Sequence, residues 1–185
     1  MMVDKKTLRS VVLKRRGSLT DVTERSEKIA SALYARKVFR DASVVMVYLS
    51  YNSEVVTDGI VEECFRAGKR VCVPVVADGE HMDAVYIKSG GEFVTDRYGI
   101  REPSDKSCPA DKRDIDLCVV PGSAFDLSLG RMGYGKGYYD RFLAGSDIKK
   151  IALAFDCQIV DKVPYESTDV KMDGIITESR VIGDI

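Results

Sequence analysis

The sequence of 185 residues predicts an α/β fold, specifically a three-layer α/β/α sandwich around a mostly parallel, mixed central sheet. One observation is a set of short apolar runs without polar alternation, at residues 43–49, 71–76, 117–120 and 151–155. Such runs are typical of strands covered on both faces. The other observation is that segments with helical spacing lie between them, which favours parallel strands joined by helices. We expect one domain over residues 1–185, large enough to bury a core.

The first helix is predicted over residues 4–16, where apolar residues recur at helical spacing and Gly17 follows. Lys5 and Arg9 are four residues apart and therefore lie on one face of it. The basic run of Lys14, Arg15 and Arg16 indicates a solvated, cationic helix end.

Capping and turn residues mark the next elements. A second helix begins near residue 20, with Glu24 placed as a capping-box partner. Thr57 is suited to cap the following helix, which Gly68 ends. Asp78-Gly79 predicts a hairpin turn into a strand over residues 81–87.

The strands and loops predicted for the second half of the sequence indicate where the cleft lies. We expect loops at residues 90–113 and 163–171, a central strand at 117–120, another strand at 151–155 and short terminal strands at 174–177 and 181–182. Ligands of open α/β sheets bind beyond the carboxyl ends of the strands. The loops after Leu49, Val120 and Phe155 are therefore expected to converge on one cleft.

Composition narrows the function classes. The net charge of −1 gives no general attraction to nucleic acid or to anionic membranes, so neither is expected as a partner. No signal-peptide core opens the chain, and the odd number of five cysteines indicates buried free thiols and a cytoplasmic location. His81 is the single histidine and is expected at the surface, which disfavours histidine-based catalysis or zinc chemistry.

A glycine-rich loop follows the central strand and organises the rest of the chain. Gly133, Gly135 and Gly137 alternate around Lys136, and backbone N–H groups in such a loop can close around phosphate oxygens. Neither the P-loop nor the dinucleotide fingerprint fits this spacing. An ordinary surface turn is the alternative for the glycines alone, but the nearby Arg131, Lys136 and Asp140 favour phosphate and metal binding.

The residues 131–140, Arg-Met-Gly-Tyr-Gly-Lys-Gly-Tyr-Tyr-Asp, with Pro121-Gly122 and Phe125-Asp126, resemble the 5-formyltetrahydrofolate cyclo-ligase (methenyltetrahydrofolate synthetase) family. Supporting matches lie at residues 5–9, 49–54, 99–103 and 169–178, so the resemblance spans nearly the whole chain. Two positions depart from the family pattern: Leu129 stands where a glycine is usual, and Thr168 where a histidine often is.

The resemblance implies ATP- and Mg²⁺-dependent closure of 5-formyltetrahydrofolate, with or without a polyglutamate tail, to 5,10-methenyltetrahydrofolate, releasing ADP and phosphate. It implies catalytic roles for Lys136, Arg131 and Tyr139, and magnesium ligation by Asp140 and Asp173. The implied ATP contacts are Lys5, Arg9, Arg131, Met132, Gly133, Tyr134, Gly135, Lys136, Gly137, Tyr138 and Tyr139. The implied folate contacts are Leu49, Glu54, Tyr134, Gly135, Lys136, Gly137 and Tyr138.

The chemical requirements of this reaction match what the residues of the glycine loop can supply. Phosphorylation turns the formyl oxygen into a good leaving group, so that N10 of the folate can attack the carbon, and the protein supplies mainly positioning and charge neutralisation. Glu54 is placed to accept hydrogen bonds from the pterin; without the resemblance, a solvated loop carboxylate is the better interpretation.

Three other functions are compatible with parts of the sequence. A sugar-phosphate isomerase or an acyl-transfer enzyme could use the same loop without ATP turnover. A nucleotide-sensing module would bind ATP without consuming it. RNA binding through residues 5–16 agrees poorly with the net charge and with the lack of an aromatic and basic platform.

Overall fold

A seven-stranded central sheet organises the protein in the computed structural model, which describes residues 4–95 and 99–185. The helices are α1 (Lys5–Gly17), α2 (Val22–Tyr34), α3 (Lys37–Asp41), α4 (Asp58–Arg66) and α5 (Tyr138–Leu143). The strands are β1 (Val44–Val47), β2 (Arg70–Val76), β3 (Met82–Ile87), β4 (Phe93–Thr95), β5 (Arg101–Pro103), β6 (Leu117–Val120), β7 (Ala124–Asp126), β8 (Arg131–Met132), β9 (Lys149–Leu153), β10 (Ile159–Val160), β11 (Gly174–Ile176) and β12 (Val181–Ile182). Short 3₁₀ turns occupy Lys112–Asp114 and Asp156–Gln158.

The main sheet has the order β12-β11-β9-β6-β1-β2-β3, which places β6 at its centre as expected. The strands β11, β9, β6, β1 and β2 run parallel to their neighbours, while the edge strands β3 and β12 pair antiparallel. The α/β fold with a mostly parallel, mixed sheet is therefore confirmed. A three-stranded sheet, β10-β7-β8, and the β4-β5 hairpin lie outside it.

Successive residues of the central strands bury their side chains on opposite faces of the sheet. On one face, Val45 and Leu117 belong to a core completed by α2, α3 and α4. On the other face, Met46 and Cys118 belong to a core that includes Leu143 of α5. This alternation follows from the pleat of the strands, and it explains why the runs are apolar at every position.

Several predicted details are confirmed. The hairpin turn at Asp78-Gly79 joins β2 to β3, and Gly68, with φ of +73°, follows the end of α4. His81 is exposed. Cys64, Cys72 and Cys118 are buried free thiols, and burial raises the pKa of the Cys72 thiol to about 12.

Other details differ. The Glu24 side chain pairs with Lys28 rather than closing a capping box, and α2 has no side-chain cap. Thr57 does not cap α4: its hydroxyl donates to the Tyr48 carbonyl at 2.6 Å and so holds the loop after β1. The predicted loop 90–113 contains β4, β5 and a 3₁₀ turn, although its residues 96–98 lie outside the described part of the chain.

No helix within the described ranges is long and apolar enough to span a membrane.

Candidate active site

A pocket of about 580 Å³ lies beyond the carboxyl ends of β1 and β6, where the sequence predicts a cleft. Its wall combines the end of α1, the loop after β1, the glycine loop and the first turn of α5. Of the three predicted loops, those after Leu49 and Val120 contribute to it, while no residue directly after Phe155 lines it. A larger depression of about 890 Å³ lies elsewhere, lined by residues before β1, β6 and β9, and contains no glycine-loop residue.

The approach to the glycine loop is built around Asp126, which is buried at the end of β7. Its Oδ1 accepts the backbone N–H groups of Ser128 and Gly130, each at 2.9 Å, and its Oδ2 accepts that of Val163 at 2.8 Å. The turn brings Leu129 to a φ of +66°, a left-handed conformation that favours glycine. The departure from the family pattern at this position therefore places a strained leucine in the turn.

The loop itself takes conformations that side chains rarely adopt. Gly135 has φ of +101° and Gly137 of +67°. Ser123 anchors the strand before the loop, because its hydroxyl and its backbone N–H both donate to the Met132 carbonyl, at 2.8 and 2.7 Å. Met132 is buried in a cluster with Val12 of α1, so its side chain contributes to packing, and its contact with ATP stays a prediction.

Arg131 lies in the pocket wall and is only 5% exposed. Its Nη2 pairs with Asp140 Oδ2 at 2.8 Å, and its guanidinium lies 5.7 Å from the ring centre of Tyr139. The buried Nε has no hydrogen-bond partner among the described residues. An unpaired buried donor is costly, and no described group satisfies this one.

Lys136 projects from the loop at the pocket rim and is exposed, with no hydrogen bond or ion pair among the described residues. Two neighbours of the loop instead hold the β2–β3 turn. The Tyr138 hydroxyl donates to the Gly79 carbonyl at 2.8 Å, and Arg141 Nε donates to that of Glu80 at 2.9 Å.

The basic residues of α1 are placed differently from one another. Arg9 Nε donates to the Gly133 carbonyl at 3.0 Å, which brings its guanidinium against the glycine loop. Lys5 Nζ pairs with Glu166 at 2.7 Å and with Asp169 at 3.2 Å. Lys5 is not part of the pocket wall, so an ATP contact requires it to exchange these carboxylates for phosphate.

Glu54 is 8% exposed, so it is not a solvated loop carboxylate. Its Oε1 accepts from the Tyr134 hydroxyl, and its Oε2 accepts the Tyr51 backbone N–H at 3.0 Å. Burial raises the pKa of Glu54, while these hydrogen bonds and the nearby Arg16 act in the opposite direction. Leu49 lines the same pocket, as the substrate-site prediction requires.

Arg16 is the main residue that the sequence interpretation missed. It is 4% exposed and lines the pocket, so the basic end of α1 is not wholly solvated. Lys14 and Arg15 are exposed as expected. The signal was present in the spacing: Arg16 follows Val12 by four residues and therefore continues the buried stripe of α1.

Of the two carboxylates predicted to bind magnesium, Asp140 lines the pocket and Asp173 does not. Asp140 lines the pocket, but its oxygens are engaged by Arg131 and by the Val170 N–H. Asp173 lies at the amino end of β9, where it pairs with Lys150 at 3.1 Å and accepts the Lys150 N–H at 2.7 Å. Within residues 4–95 and 99–185, no cluster of three or more His, Cys, Asp or Glu side chains could hold a metal. The predicted site has only two protein ligands, so magnesium binding by Asp140 and Asp173 stays a prediction.

Comparison with known proteins assigns the chain to a family. A sequence model of the 5-formyltetrahydrofolate cyclo-ligase family matches residues 1–178. The 5-formyltetrahydrofolate cyclo-ligase of Escherichia coli strain K12 is 31% identical over 184 residues, covering 92% of this chain and 98% of its own. A probable 5-formyltetrahydrofolate cyclo-ligase of Caenorhabditis elegans is 31% identical over 179 residues, covering 89% and 87%.

A solved structure supports the same assignment. The NMR structure of Aquifex aeolicus 5,10-methenyltetrahydrofolate synthetase aligns with a TM-score of 0.84 and 31% identity, covering 96% of this chain and 91% of its own. The chain is therefore an enzyme of the 5-formyltetrahydrofolate cyclo-ligase family.

Proposed function

We propose that the protein uses ATP, supplied with Mg²⁺, to close 5-formyltetrahydrofolate to 5,10-methenyltetrahydrofolate, with release of ADP and phosphate. One observation carries the proposal: a single pocket joins a buried carboxylate, Glu54, to the glycine loop with its unpaired Lys136 and with the unpaired Nε of Arg131. A pterin offers N–H donors for the carboxylate, and phosphates offer anionic oxygens for the cationic groups.

The reaction would proceed in two steps. The formyl oxygen attacks the γ-phosphorus of ATP, so that ADP leaves and the oxygen becomes part of a phosphate leaving group. N10 then attacks the formyl carbon, the carbon–oxygen bond breaks, phosphate departs and the N10 proton is lost. Lys136 and Arg131 would meet the charge on the transferred phosphoryl group, and Glu54 would hold the pterin.

In this proposal the protein itself would supply few of the magnesium ligands. Asp140 is the carboxylate beside the glycine loop, and Asp173 lies outside the pocket wall. Because magnesium in such sites is held largely by substrate phosphates and water, the ion would enter with ATP. The protein's own cationic donors would then neutralise the phosphate charge that the ion leaves uncompensated.

A direct assay tests the proposal. The protein is mixed with 5-formyltetrahydrofolate, MgCl₂ and ATP, and the near-ultraviolet absorbance of the methenyl product is followed together with phosphate release. We expect both signals to rise in equal amounts and to require ATP. Binding of ATP without either signal would instead identify a nucleotide-sensing module, and product formation without ATP would exclude the phosphorylation step.

A further inference from the structure

Arg16 is a buried cation without a direct counter-ion in the pocket wall. Its Nε donates to Ser53 Oγ at 3.0 Å, and its Nη1 donates to the Gly122 carbonyl at 3.3 Å and to the Tyr134 hydroxyl at 2.8 Å. These acceptors are all neutral, and no ion pair joins Arg16 to a carboxylate in the described part of the chain. A buried cation without an oppositely charged partner is unfavourable, even when neutral groups accept its hydrogen bonds. Packing of α1 alone is therefore a poor explanation for an arginine at this position.

The nearest negative group is reached through one hydroxyl. Tyr134 accepts from Arg16 and also contacts Glu54 Oε1. Arginine can only donate hydrogen bonds, and a phenol has a single proton. The Tyr134 hydroxyl proton must therefore point at Glu54. The hydrogen-bond chain from Arg16 through Tyr134 to Glu54 thus has a fixed donor-to-acceptor direction.

We propose that Arg16 is a positioning residue that, through Tyr134, holds Glu54 as an oriented anion for the N–H-bearing edge of the pterin. The proposal rests on the proposed function, since it concerns the same folate site. A carboxylate has about four acceptor positions, two on each oxygen. Tyr134 uses one on Oε1 and the Tyr51 N–H uses one on Oε2. One position on each oxygen remains, which matches a ligand with two adjacent N–H donors.

The surroundings of Glu54 allow its titration to be observed. Burial raises the pKa of Tyr48, Tyr134 and Tyr139, so these phenols stay neutral at physiological pH. The other charged side chains of the pocket are Arg101, Glu102, Arg131, Lys136 and Asp140. Arg101, Glu102, Arg131 and Asp140 form ion pairs, with Asp58, Lys106 and each other.

Binding of 5-formyltetrahydrofolate, measured without ATP from about pH 5 to about pH 8, tests the proposal. Wild-type affinity should fall on the acid side as Glu54 is protonated. Arg16→Met removes the cation that favours the ionised carboxylate, so the midpoint of this loss should move to higher pH. Between the two midpoints the variant should bind about tenfold or more weakly, since a protonated Glu54 leaves ligand N–H groups unpaired.

Tyr134→Phe interrupts the hydrogen-bond chain at its centre without a substitution in α1, and its midpoint should move in the same direction. Arg15→Met removes a neighbouring exposed cation of α1 and should keep the wild-type profile. If Arg16→Met does not fold, Tyr134→Phe alone decides.

A uniform loss of affinity with an unmoved midpoint would mean that Arg16 and Tyr134 only support the structure, and would overturn the proposal. A wild-type protein that does not bind 5-formyltetrahydrofolate at any pH would overturn the proposed function itself. The two failures are therefore distinguishable.

Discussion

Asp126 controls the turn that leads into the glycine loop, and its substitution by asparagine should destabilise the protein. Its carboxylate accepts three backbone N–H groups, from Ser128, Gly130 and Val163, while it is 5% exposed. In Asp126→Asn one oxygen can still accept from Ser128 and Gly130. The amide nitrogen, however, then faces the Val163 N–H, donor against donor.

The magnitude follows from these contacts. Leaving the buried Val163 N–H unpaired costs about 1–3 kcal/mol, and converting two charge-assisted hydrogen bonds to neutral ones costs about 1 kcal/mol each. Removing a buried charge returns part of this loss. We therefore expect Asp126→Asn to lower the free energy of unfolding by about 2–3 kcal/mol, a large part of the usual 5–15 kcal/mol.

Urea unfolding followed by circular dichroism measures this change. Asp105→Asn is the matched control, because Asp105 also accepts a backbone N–H two residues on, that of Ser107, but in an exposed loop. The control should leave the urea midpoint almost unchanged. An Asp126→Asn protein within about 0.5 kcal/mol of wild type would refute the assignment of the turn to this carboxylate.

Substitutions at three further positions have defined outcomes. Lys136→Met should lower kcat/KM for ATP by about 10²-fold or more, the usual effect of losing one charge-stabilising donor. The urea midpoint should stay unchanged, because the side chain is exposed and has no partner among the described residues. Normal turnover by the variant would remove Lys136 from the mechanism. Glu54→Gln should weaken 5-formyltetrahydrofolate binding about 5- to 150-fold without affecting ATP binding. Because the pKa of Glu54 is raised in the folded protein, the wild type should lose stability as the pH rises from 4.5, the pKa in the unfolded chain, through the pKa in the folded protein. Urea unfolding at a series of pH values should therefore show Glu54→Gln becoming more stable relative to the wild type over that pH range. Stability curves that stay parallel would contradict the burial of the charge. In urea unfolding, Leu129→Gly should be about 1 kcal/mol more stable than Leu129→Ala, since both lose the same packing but only glycine relieves the positive φ; the opposite order would show that the turn is unstrained.

The central sheet could be predicted because each of its inner strands is apolar on both faces, a property of the local sequence. The three-stranded sheet, β10-β7-β8, could not be predicted in this way. Strand β8 consists of Arg131 and Met132, and its pairing with β7 depends on the Asp126 turn rather than on apolar periodicity. The β4–β5 pair was missed for a similar reason, since its residues other than Pro103 are polar or exposed and carry no alternation.

The site was predictable where function follows from a contiguous motif. The glycine loop and its helix lie as expected, and Glu54 faces the same pocket. The spacing of Arg16 from Val12 indicated a buried side chain, but its hydrogen-bond partners could not be predicted, because Ser53 and Tyr134 are 37 and 118 residues away in sequence. Magnesium binding by Asp140 and Asp173 stays a prediction, because sequence spacing carries no distance; the structure pairs Asp140 with Arg131 and Asp173 with Lys150.

The contact between α5 and the β2–β3 turn has a practical consequence for spectroscopy. The Tyr138 hydroxyl donates to the Gly79 carbonyl, and Arg141 donates to the Glu80 carbonyl. The next residue, His81, is the single histidine of the sequence. The imidazole C–H signals in a proton NMR spectrum of unlabelled protein therefore come from one residue. Under the proposed function, a displacement of α5 on ATP binding would reach the turn before His81 through these two hydrogen bonds. A one-dimensional titration can thus follow occupancy of the loop without isotope labelling or resonance assignment.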